Sequence, residues 1–178
     1  MFNLLHPIKH FLTITKHRHI VMRLCFKAGI GLQGLKHDLS KYSWCEFRIG
    51  MKYYQGDHSP NAREKEIYGY SSAWLHHKGR NKHHFEYWVD HDPEKMTYVP
   101  IKMPIRYVKE MFCDRIAATK VYMKKNYNPK GILDYHNRHK DKYVMHSDTE
   151  ALLVSWINLL IDKGEKAAFK IIKAVKEY

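Results

Sequence analysis

The chain is poor in cysteine, and its cysteines are badly placed for cross-linking. Three occur in 178 residues, Cys25, Cys45 and Cys113, and no two of them form a Cys-x-x-Cys pair. An odd number of widely separated cysteines argues against a disulfide framework, and zinc ribbons need paired cysteines. Neither class is therefore indicated, and a reducing, cytoplasmic location is expected.

Long apolar runs are also missing. No stretch reaches the roughly 20 residues that a membrane-spanning helix needs, and the apolar residues 1–5 are soon followed by His6 and Pro7. We therefore expect no signal peptide and no membrane partner. The alternative that the N terminus forms a helix at a membrane interface stays open.

Acidic residues are scarce compared with basic ones. Asp and Glu number 18, Lys and Arg number 31, and the formal net charge at pH 7 is +13. This balance favours an anionic partner, which can be a phosphorylated metabolite, a nucleotide or a nucleic acid. Many of the basic residues fall in the C-terminal third, where a solvated helix face is the simpler interpretation.

Sustained alternation of apolar and polar residues, the pattern of a half-buried strand, is absent as well. The strongest segments repeat apolar residues every three or four positions, as amphipathic helices do. No repeat or composition shift marks a second domain, so we predict a single all-α bundle over residues 1–178. A connector is expected at 90–104 and a short helix from Asn81 to Trp88. The longer predicted helices are about 7–27, 43–56, 60–78, 104–126 and 132–141, then two from Asp148 or Thr149 onward that Gly164 separates.

Histidine is what the chain has in excess, with 14 copies. Because histidine is the commonest metal ligand, the excess indicates a metal site or an acid–base site. The most informative residues are His37 and Asp38, since an adjacent imidazole and carboxylate can hold one divalent ion together. Further candidate ligands lie upstream at His17, downstream at Asp114, and in a histidine cluster over 76–84.

His17 and Asp114 each interrupt an apolar helix face. A buried ionised carboxylate costs several kcal/mol unless it is paired or bound to a metal. Asp114 is therefore either a ligand or the partner of the backbone or of an arginine such as Arg106 or Arg115. His17 is either a ligand or a hydrogen-bonded core residue, and His19 is the alternative ligand. The two faces are Ile14, His17, Val21, Leu24 and Ala28, and Tyr107, Met111, Asp114, Ala118 and Val121.

Two histidine pairs, His76-His77 and His83-His84, flank Gly79-Arg80-Asn81. If the chain breaks at Gly79, one pair closes a helix and the other opens the next, so that both can converge. If the helix continues, the seven-residue spacing stacks one pair over the other. Either geometry allows two ligands, and a polar turn is the plain alternative. His77 and His84 are the best candidates, with His76 and His83 as alternates.

Several charged residues beside these candidates have two interpretations. Glu46 follows Ser43 at the spacing of a capping box, and it is otherwise a carboxylate that supports a metal ligand from behind. Lys41 and Arg80 are placed to meet a substrate phosphate, as is Lys82, or they are simply solvated.

These residues carry a resemblance to the HD superfamily of metal-dependent phosphohydrolases, which reads His…His-Asp…Asp on a helical bundle. His17 resembles the first element, residues 35–41 (Leu-Lys-His-Asp-Leu-Ser-Lys) the second, and residues 112–116 the last. More narrowly, the strings His-Asp-Leu-Ser-Lys-Tyr-Ser and His-His-Lys-Gly-Arg-Asn-Lys-His-His resemble a family of uncharacterised bacterial and phage proteins. The resemblance covers about residues 14–120, and helices at about 130–178 are expected to pack on that core.

The resemblance implies a hydrolase that uses metal-activated water on a small anionic phosphate ester, such as a nucleotide or a phosphorylated metabolite. It implies one or two divalent ions, which the donor types suggest are manganese, iron or zinc. Asp38, Lys41 and Arg80 would be the catalytic residues. The implied ligands are His17, His37, Asp38 and Asp114 for the first ion, and His77 and His84 for the second, with Asp38 between the two.

Two other classes of function remain open from the sequence. One is a di-iron oxygenase, because some HD-like proteins resemble such enzymes in their ligand set. The other is a non-catalytic protein in which the metal stabilises a nucleic-acid-binding or interaction surface. The sequence does not predict the oligomeric state.

Overall fold

The computed structural model describes residues 5–178, and this part of the chain is predominantly helical. The predicted all-α class is confirmed. No helix in residues 5–178 combines the length and the apolar character needed to cross a bilayer. In chain order the helices are α1 (His6–Lys27), α2 (Gly31–Lys36), α3 (Trp44–Lys52), α4 (Pro60–Tyr68), α5 (Ser72–Lys78), α6 (Ile105–Met123), α7 (Lys130–His139) and α8 (Ser147–Ala174).

Short elements connect these helices. Two strands, β1 (Val89–Asp92) and β2 (Thr97–Pro100), form an antiparallel hairpin between α5 and α6. Single 3-10 turns are found at Leu39–Tyr42, Phe85–Tyr87, Lys124–Asn126 and Lys140–Lys142.

Helix α6 is central to the core. Its residues Phe112 and Ile116 have no exposed surface, and the ring of Phe112 lies 5.8 Å from Trp156 and 5.7 Å from Phe169, both on α8. Val21 of α1 belongs to the same buried cluster. Because truncating a buried phenylalanine to alanine typically costs about 3–5 kcal/mol, this cluster firmly fixes α6 against α1 and α8. The helices that carry His17 and Asp114 are thus held together by the main core.

Helix α8 starts at a different residue from the one predicted, but it is interrupted at the predicted position, Gly164. Gly164 has φ 73° and ψ 169°, which interrupts the helical geometry at the predicted position. The helix begins at Ser147, where the side chain of His146 accepts a hydrogen bond from the Asp148 amide at 3.2 Å. The predicted cap at Asp148 or Thr149 is wrong, because the buried Thr149 hydroxyl instead accepts from the Met103 amide at 3.2 Å.

The helix predicted over 60–78 is two helices. Helix α4 ends at Gly69, whose φ of 77° is left-handed. Helix α5 then begins after its N-cap Ser71, whose side chain accepts a hydrogen bond from the Trp74 amide at 3.0 Å. The carboxylate of Glu64 accepts hydrogen bonds from Ser71 and Ser72, which fastens α4 to this new start. A left-handed glycine followed by a serine cap ends one helix and starts another.

The hairpin corrects the prediction that the chain has no sheet. Val89 is paired with Pro100 and Asp92 with Thr97 within the region taken as a connector. Each strand has four residues and no buried one, so no apolar alternation marks it in the sequence. The helix predicted from Asn81 to Trp88 is reduced to one 3-10 turn.

Helix α1 meets α3 where the ring of His10 lies against Gly50. A Cβ atom at Gly50 would lie 2.1 Å from His10 Nε2, so the contact requires glycine. The side chain of His10 is buried. Burial, together with the positive charge of Lys41, lowers the pKa of His10 to about 4. The imidazole is therefore neutral in the folded protein at pH 7.

We expect His10 to make the fold sensitive to acid. A histidine in an unfolded chain has a pKa near 6.5. Below that pH the unfolded state binds a proton at His10, whereas the folded state does not bind it until the pH reaches about 4. The stabilisation by neutral His10 is thus complete above pH 6.5 and declines as the pH falls toward 4. When the pH falls from 7 to 5, the unfolding free energy of the wild type should therefore decrease by about 1–2 kcal/mol more than that of His10→Gln.

Urea denaturation at the two pH values measures this difference. His19 is exposed on the same helix, so His19→Gln is the matched control and should lose as much stability as the wild type. Equal losses for His10→Gln and the wild type would contradict the assignment.

Candidate metal centre

The centre is built around a turn that follows α2. Asp38 adopts a left-handed conformation with φ 53° and ψ 26°, which costs roughly 1–2 kcal/mol for most L-residues but is tolerated by Asp and Asn. Arg18 of α1 fastens this turn, because its Nε donates to the His37 carbonyl at 2.7 Å and its Nη2 to the Leu35 carbonyl at 3.0 Å. The turn directs the side chains of His37 and Asp38 inward, where both are buried.

A first group of four side chains meets at this turn. His17 Nε2 lies 2.9 Å from Asp114 Oδ1 and 3.5 Å from His37 Nε2. His37 Nε2 lies 3.3 Å from Asp38 Oδ2 and 3.6 Å from Asp114 Oδ1. One ligand atom from each of the four residues fits within a mutual distance of 4.8 Å. The structure thus brings together the four residues that the sequence analysis proposed for a first ion.

The partners of Asp114 decide between the two interpretations given to it. Its carboxylate contacts the imidazoles of His17 and His37, whereas Arg106 donates to the Tyr107 hydroxyl and Arg115 contacts His136. The interpretation in which an arginine neutralises Asp114 is therefore wrong. Burial alone would raise the pKa of Asp114, but hydrogen bonds from His17 and His37 hold it well below its usual value.

A second group approaches Asp38 from the other side. His77 Nε2 lies 3.3 Å and His83 Nε2 3.5 Å from Asp38 Oδ1. The ring of His84 stacks beside them, with centroids 4.1 Å from His83 and 4.8 Å from His77. Asp38, His77, His83 and His84 can each offer a ligand atom within 4.8 Å of the others.

The chain reaches this second group by ending α5 and turning, which is the first of the two geometries considered for the histidine pairs. His77 lies in the last turn of α5, and Gly79 is its C-terminal cap. His77 and His84 both belong to the group, and so does the alternate His83. His76 does not, because its Nδ1 donates to Glu46 Oε1 at 2.6 Å. The alternate His19 is exposed and belongs to none of the groups.

Asp38 is the residue that the two groups share, and its carboxylate is polarised between them. Oδ2 faces the first group and Oδ1 the second. Lys41 Nζ lies 2.6 Å from Oδ2 as an ion pair. Within residues 5–178, neither oxygen of Asp38 has a hydrogen-bond partner of good geometry, nor do Nε2 of His83 and Nε2 of His84. Buried polar atoms usually have such a partner, so these four atoms resemble ligands directed at one another.

The spacing of these atoms fits metal binding. Ligands of one tetrahedral ion at about 2.0–2.1 Å from the metal lie about 3.3 Å from each other. The Nε2 atoms of His17 and His37 lie 2.9–3.8 Å from the carboxylates of Asp38 and Asp114 and 3.5 Å from each other. The buried His, Asp and Glu groups could therefore hold a metal ion.

Two further carboxylates orient the imidazoles from behind. His37 Nδ1 donates to Glu110 Oε1 at 2.8 Å, and His83 Nδ1 lies 3.3 Å from the same oxygen. His77 Nδ1 donates to Glu46 Oε2 at 2.8 Å. The amide of Gln33 donates in turn to Glu110. Carboxylates that hold the Nδ1 proton leave the Nε2 lone pair free for a metal, which is a common support of histidine ligands.

Glu46 and Glu110 show where the sequence analysis fell short. The capping-box interpretation of Glu46 is wrong, because Ser43 caps nothing with its side chain and donates to the Ser40 carbonyl at 2.6 Å instead. The alternative, a carboxylate behind a ligand, matches the structure. Glu110 was missed, although it lies one helical turn before Asp114, and two carboxylates at i and i+4 beside an apolar face could have indicated it.

The protonation states of the centre suit a metal in most places. Burial lowers the pKa of His17, and burial together with His83 and His77 lowers that of His84 to well below its usual value. Burial alone would raise the pKa of Asp38, but His37, Lys41 and His77 lower it much further. These groups are thus neutral imidazoles and an ionised carboxylate at pH 7, the forms that bind metals.

His37 and His77 are the exceptions. Burial alone would lower the pKa of His37, but Asp38, Asp114 and Glu110 raise it well above the usual value. Asp38 and Glu46 likewise raise the pKa of His77 against the effect of burial. An ion that binds to His37 must therefore displace a proton.

Lys41 and Arg80, predicted to be catalytic, occupy different places. Lys41 contacts Asp38 directly, with 29% of its side chain exposed. Arg80 lies exposed just beyond α5, where its Nη1 approaches the His76 carbonyl at 3.4 Å. Lys82 is exposed and lies over the ring of Tyr87. The catalytic roles of Asp38, Lys41 and Arg80 stay predictions.

Asp38→Asn should abolish metal binding while leaving the fold intact. Asparagine has the same shape and tolerates the left-handed backbone of this position, but it lacks the charge that both groups share. After chelation and reconstitution with manganese, iron(II) or zinc, the wild type should retain at least one equivalent of one of these ions, and Asp38→Asn well under one. Elemental analysis and circular dichroism measure the two properties.

The matched control is Asp134→Asn, since Asp134 is exposed on α7. This variant should keep the metal content of the wild type. A variant Asp38→Asn with full metal content would show that the residue is not a ligand.

Comparisons with known proteins give one match. No curated protein and no solved structure matches the chain. A family model described as "Family of unknown function (DUF5662)" matches residues 6–159, which include every residue of both groups. That match agrees with the expectation of an uncharacterised family and carries no activity with it. The chain belongs to this family of unknown function.

Proposed function

We propose that the protein is a metal-dependent hydrolase that cleaves a phosphate ester at a centre of the HD type. The observation that carries the proposal is the position of Asp38, whose two carboxylate oxygens face two separate histidine groups. A carboxylate that can bridge two ions is typical of sites that position water and a phosphoryl group next to each other. The order of the elements along the chain is also that of the HD pattern.

The donor atoms restrict which ions suit the centre. Imidazole nitrogens outnumber carboxylates in both groups together, and calcium prefers ligands that are all oxygen. Manganese, iron and zinc accept mixed nitrogen and oxygen ligands. The first ion would be held by His17, His37, Asp38 and Asp114, and the second by Asp38, His77, His83 and His84. Such ions, when bound, lower the pKa of water and polarise phosphoryl oxygens.

Other side chains of the protein would orient the ligands and bind the substrate. Glu46 and Glu110 keep the Nδ1 protons of His77 and His37 in place, so that these imidazoles present Nε2 to the centre. Lys41 supplies a positive charge next to Asp38 and is partly exposed, which allows it to contact a phosphate oxygen. Arg80 is exposed, and together with the net charge of +13 it attracts anionic substrates to the protein.

If the centre holds two ions, the binding of each ion can be removed separately by a substitution. Asp114 belongs to the first group only and His84 to the second only, so Asp114→Asn and His84→Gln should each lose about one equivalent, whereas Asp38→Asn loses both. Zinc or manganese titration followed by calorimetry measures the number of sites. If either variant loses all the metal bound by the wild type, the centre holds one ion.

Phosphate release tests the activity itself. The reconstituted wild type should hydrolyse at least one member of a panel of p-nitrophenyl phosphate, bis(p-nitrophenyl) phosphate, sugar phosphates and nucleotides. Asp38→Asn should reduce turnover by more than the roughly 10–100-fold typical for loss of a residue that supports a ligand. Lys41→Met should lower kcat/KM while metal content stays at the wild-type level, and Lys142→Met, an exposed site, should change neither.

Three outcomes would overturn the hydrolase assignment. One is wild-type turnover by Asp38→Asn. Another is oxygen consumption by the iron-loaded protein without phosphate release, which would indicate the oxygenase alternative. The third is binding of oligonucleotides that weakens steeply with salt and is not accompanied by turnover, as a non-catalytic nucleic-acid-binding protein would show.

A further inference from the structure

A cavity adjoins the candidate metal centre on the side of Lys41. It lies where α1, α3 and α6 meet the loop before α4, and Lys41 and Glu46 form the wall that it shares with the centre. Tyr122 of α6 and Asn61 at the start of α4 contribute to the opposite walls. The cavity is therefore lined by the same lysine that contacts Asp38.

Several polar groups of the lining have no hydrogen-bond partner among the described residues, and two of them are on opposite elements of the fold, Asn61 on α4 and Tyr122 on α6. No residue within 5–178 makes a hydrogen bond with the Tyr122 hydroxyl or with the side-chain amide of Asn61. Burial raises the pKa of Tyr122, so its hydroxyl remains a neutral donor and acceptor. Thr13 and Tyr54 add a hydroxyl pair at 3.0 Å. These groups leave hydrogen-bonding capacity directed at whatever enters the cavity.

The lining also indicates the charge of the occupant. Glu46 is the one acidic residue among the lining residues that the structure describes, and its carboxylate oxygens already accept from His76 and His77. A cationic group would find no free carboxylate there. Lys41 offers a positive charge at the boundary with the centre, which suits the phosphate end of a substrate, while the rest of the cavity suits an uncharged polar group.

The size of the cavity restricts the occupant further. Its volume is about 60 Å³, which is room for about four water molecules. A short hydroxylated carbon chain or a small sugar displaces a comparable amount of water. A nucleobase together with its sugar displaces more water than that.

We propose that this cavity binds the organic part of the substrate, and that this part is a small, uncharged, hydroxyl-bearing group, so that the substrate is a sugar phosphate or a polyol phosphate. The assignment rests on the proposed phosphate ester hydrolysis. Lys41 holds the phosphate between the cavity and the metal centre. Asn61 and Tyr122 bind hydroxyl groups of the substrate, and they are specificity residues that do not contact the metal ligands.

Asn61→Ala and Tyr122→Phe test the proposal in the metal-reconstituted full-length protein. The wild type should hydrolyse glycerol 3-phosphate or ribose 5-phosphate with a higher kcat/KM than ribonucleoside 5′-monophosphates. Each variant loses about one hydrogen bond to the substrate, so KM for the preferred sugar or polyol phosphate should rise about 3- to 10-fold. The metal content should not change, and KM for p-nitrophenyl phosphate, whose organic part has no hydroxyl group, should rise less than KM for the sugar or polyol phosphate.

The control variants are Asn137→Ala and Tyr135→Phe, which make the same changes at exposed positions of α7. They should leave all constants at the wild-type level. Unchanged KM in Asn61→Ala and Tyr122→Phe, or a preference for nucleotides, would overturn the assignment of the cavity while leaving the hydrolase proposal intact.

Calorimetry separates the two proposals if no turnover is found. Ribose 5-phosphate and glycerol 3-phosphate, titrated into the metal-reconstituted protein, should bind to the wild type and at least 3-fold more weakly to Asn61→Ala. Such binding without hydrolysis would refute the proposed reaction and support the cavity as a binding site. No binding of either compound to the wild type would refute the cavity assignment.

Discussion

The buried carboxylate of Asp38 is the constraint on which the rest of the centre depends. An ionised carboxylate without exposed surface is strongly destabilising unless compensating charges surround it. Lys41 lies 2.6 Å from one oxygen, and the imidazoles of His37 and His77 lie 3.3 Å from the two oxygens. The left-handed turn that places Asp38 there is fastened by Arg18 to α1. The centre is thus organised outward from one side chain.

The imidazoles of His37, His77 and His83 each lie between two carboxylates, and this arrangement has a physical consequence. A neutral imidazole donates through one nitrogen only. Glu110 and Glu46 accept hydrogen bonds from Nδ1 of His37 and His77. In the neutral imidazoles, the Nε2 lone pairs therefore face the lone pairs of Asp38. Two acceptors that face each other repel unless a proton or a cation lies between them. This repulsion explains both the raised pKa of His37 and the suitability of the same space for a metal.

The sequence predicted the first group, but it left Glu46 with two interpretations and did not indicate Glu110, for a reason that lies in the patterns themselves. His17 and Asp114 interrupt apolar helix faces, and such an interruption is visible without a structure. Glu46 and Glu110 occupy helix positions where a carboxylate has ordinary explanations, so their contacts depend on tertiary packing. The choice between the histidine pairs was equally open, because it depends on how the chain turns at Gly79. The hairpin was missed because its exposed four-residue strands carry no pattern.

Lys41 lies between the candidate metal centre and the cavity, and the type of residue matters for the role proposed for it. A lysine is a point charge on a flexible stem, whereas the planar guanidinium of an arginine favours one fixed geometry. Under the proposed function, Lys41 would therefore stay near Asp38 Oδ2 and still turn toward a phosphate oxygen. Ions held by the histidine groups at Asp38 would share in neutralising its charge. The Lys41 ammonium would then be bound less tightly to Oδ2 and could contact a phosphate oxygen of the proposed substrate, so that ion binding and phosphate binding would be coupled through this carboxylate.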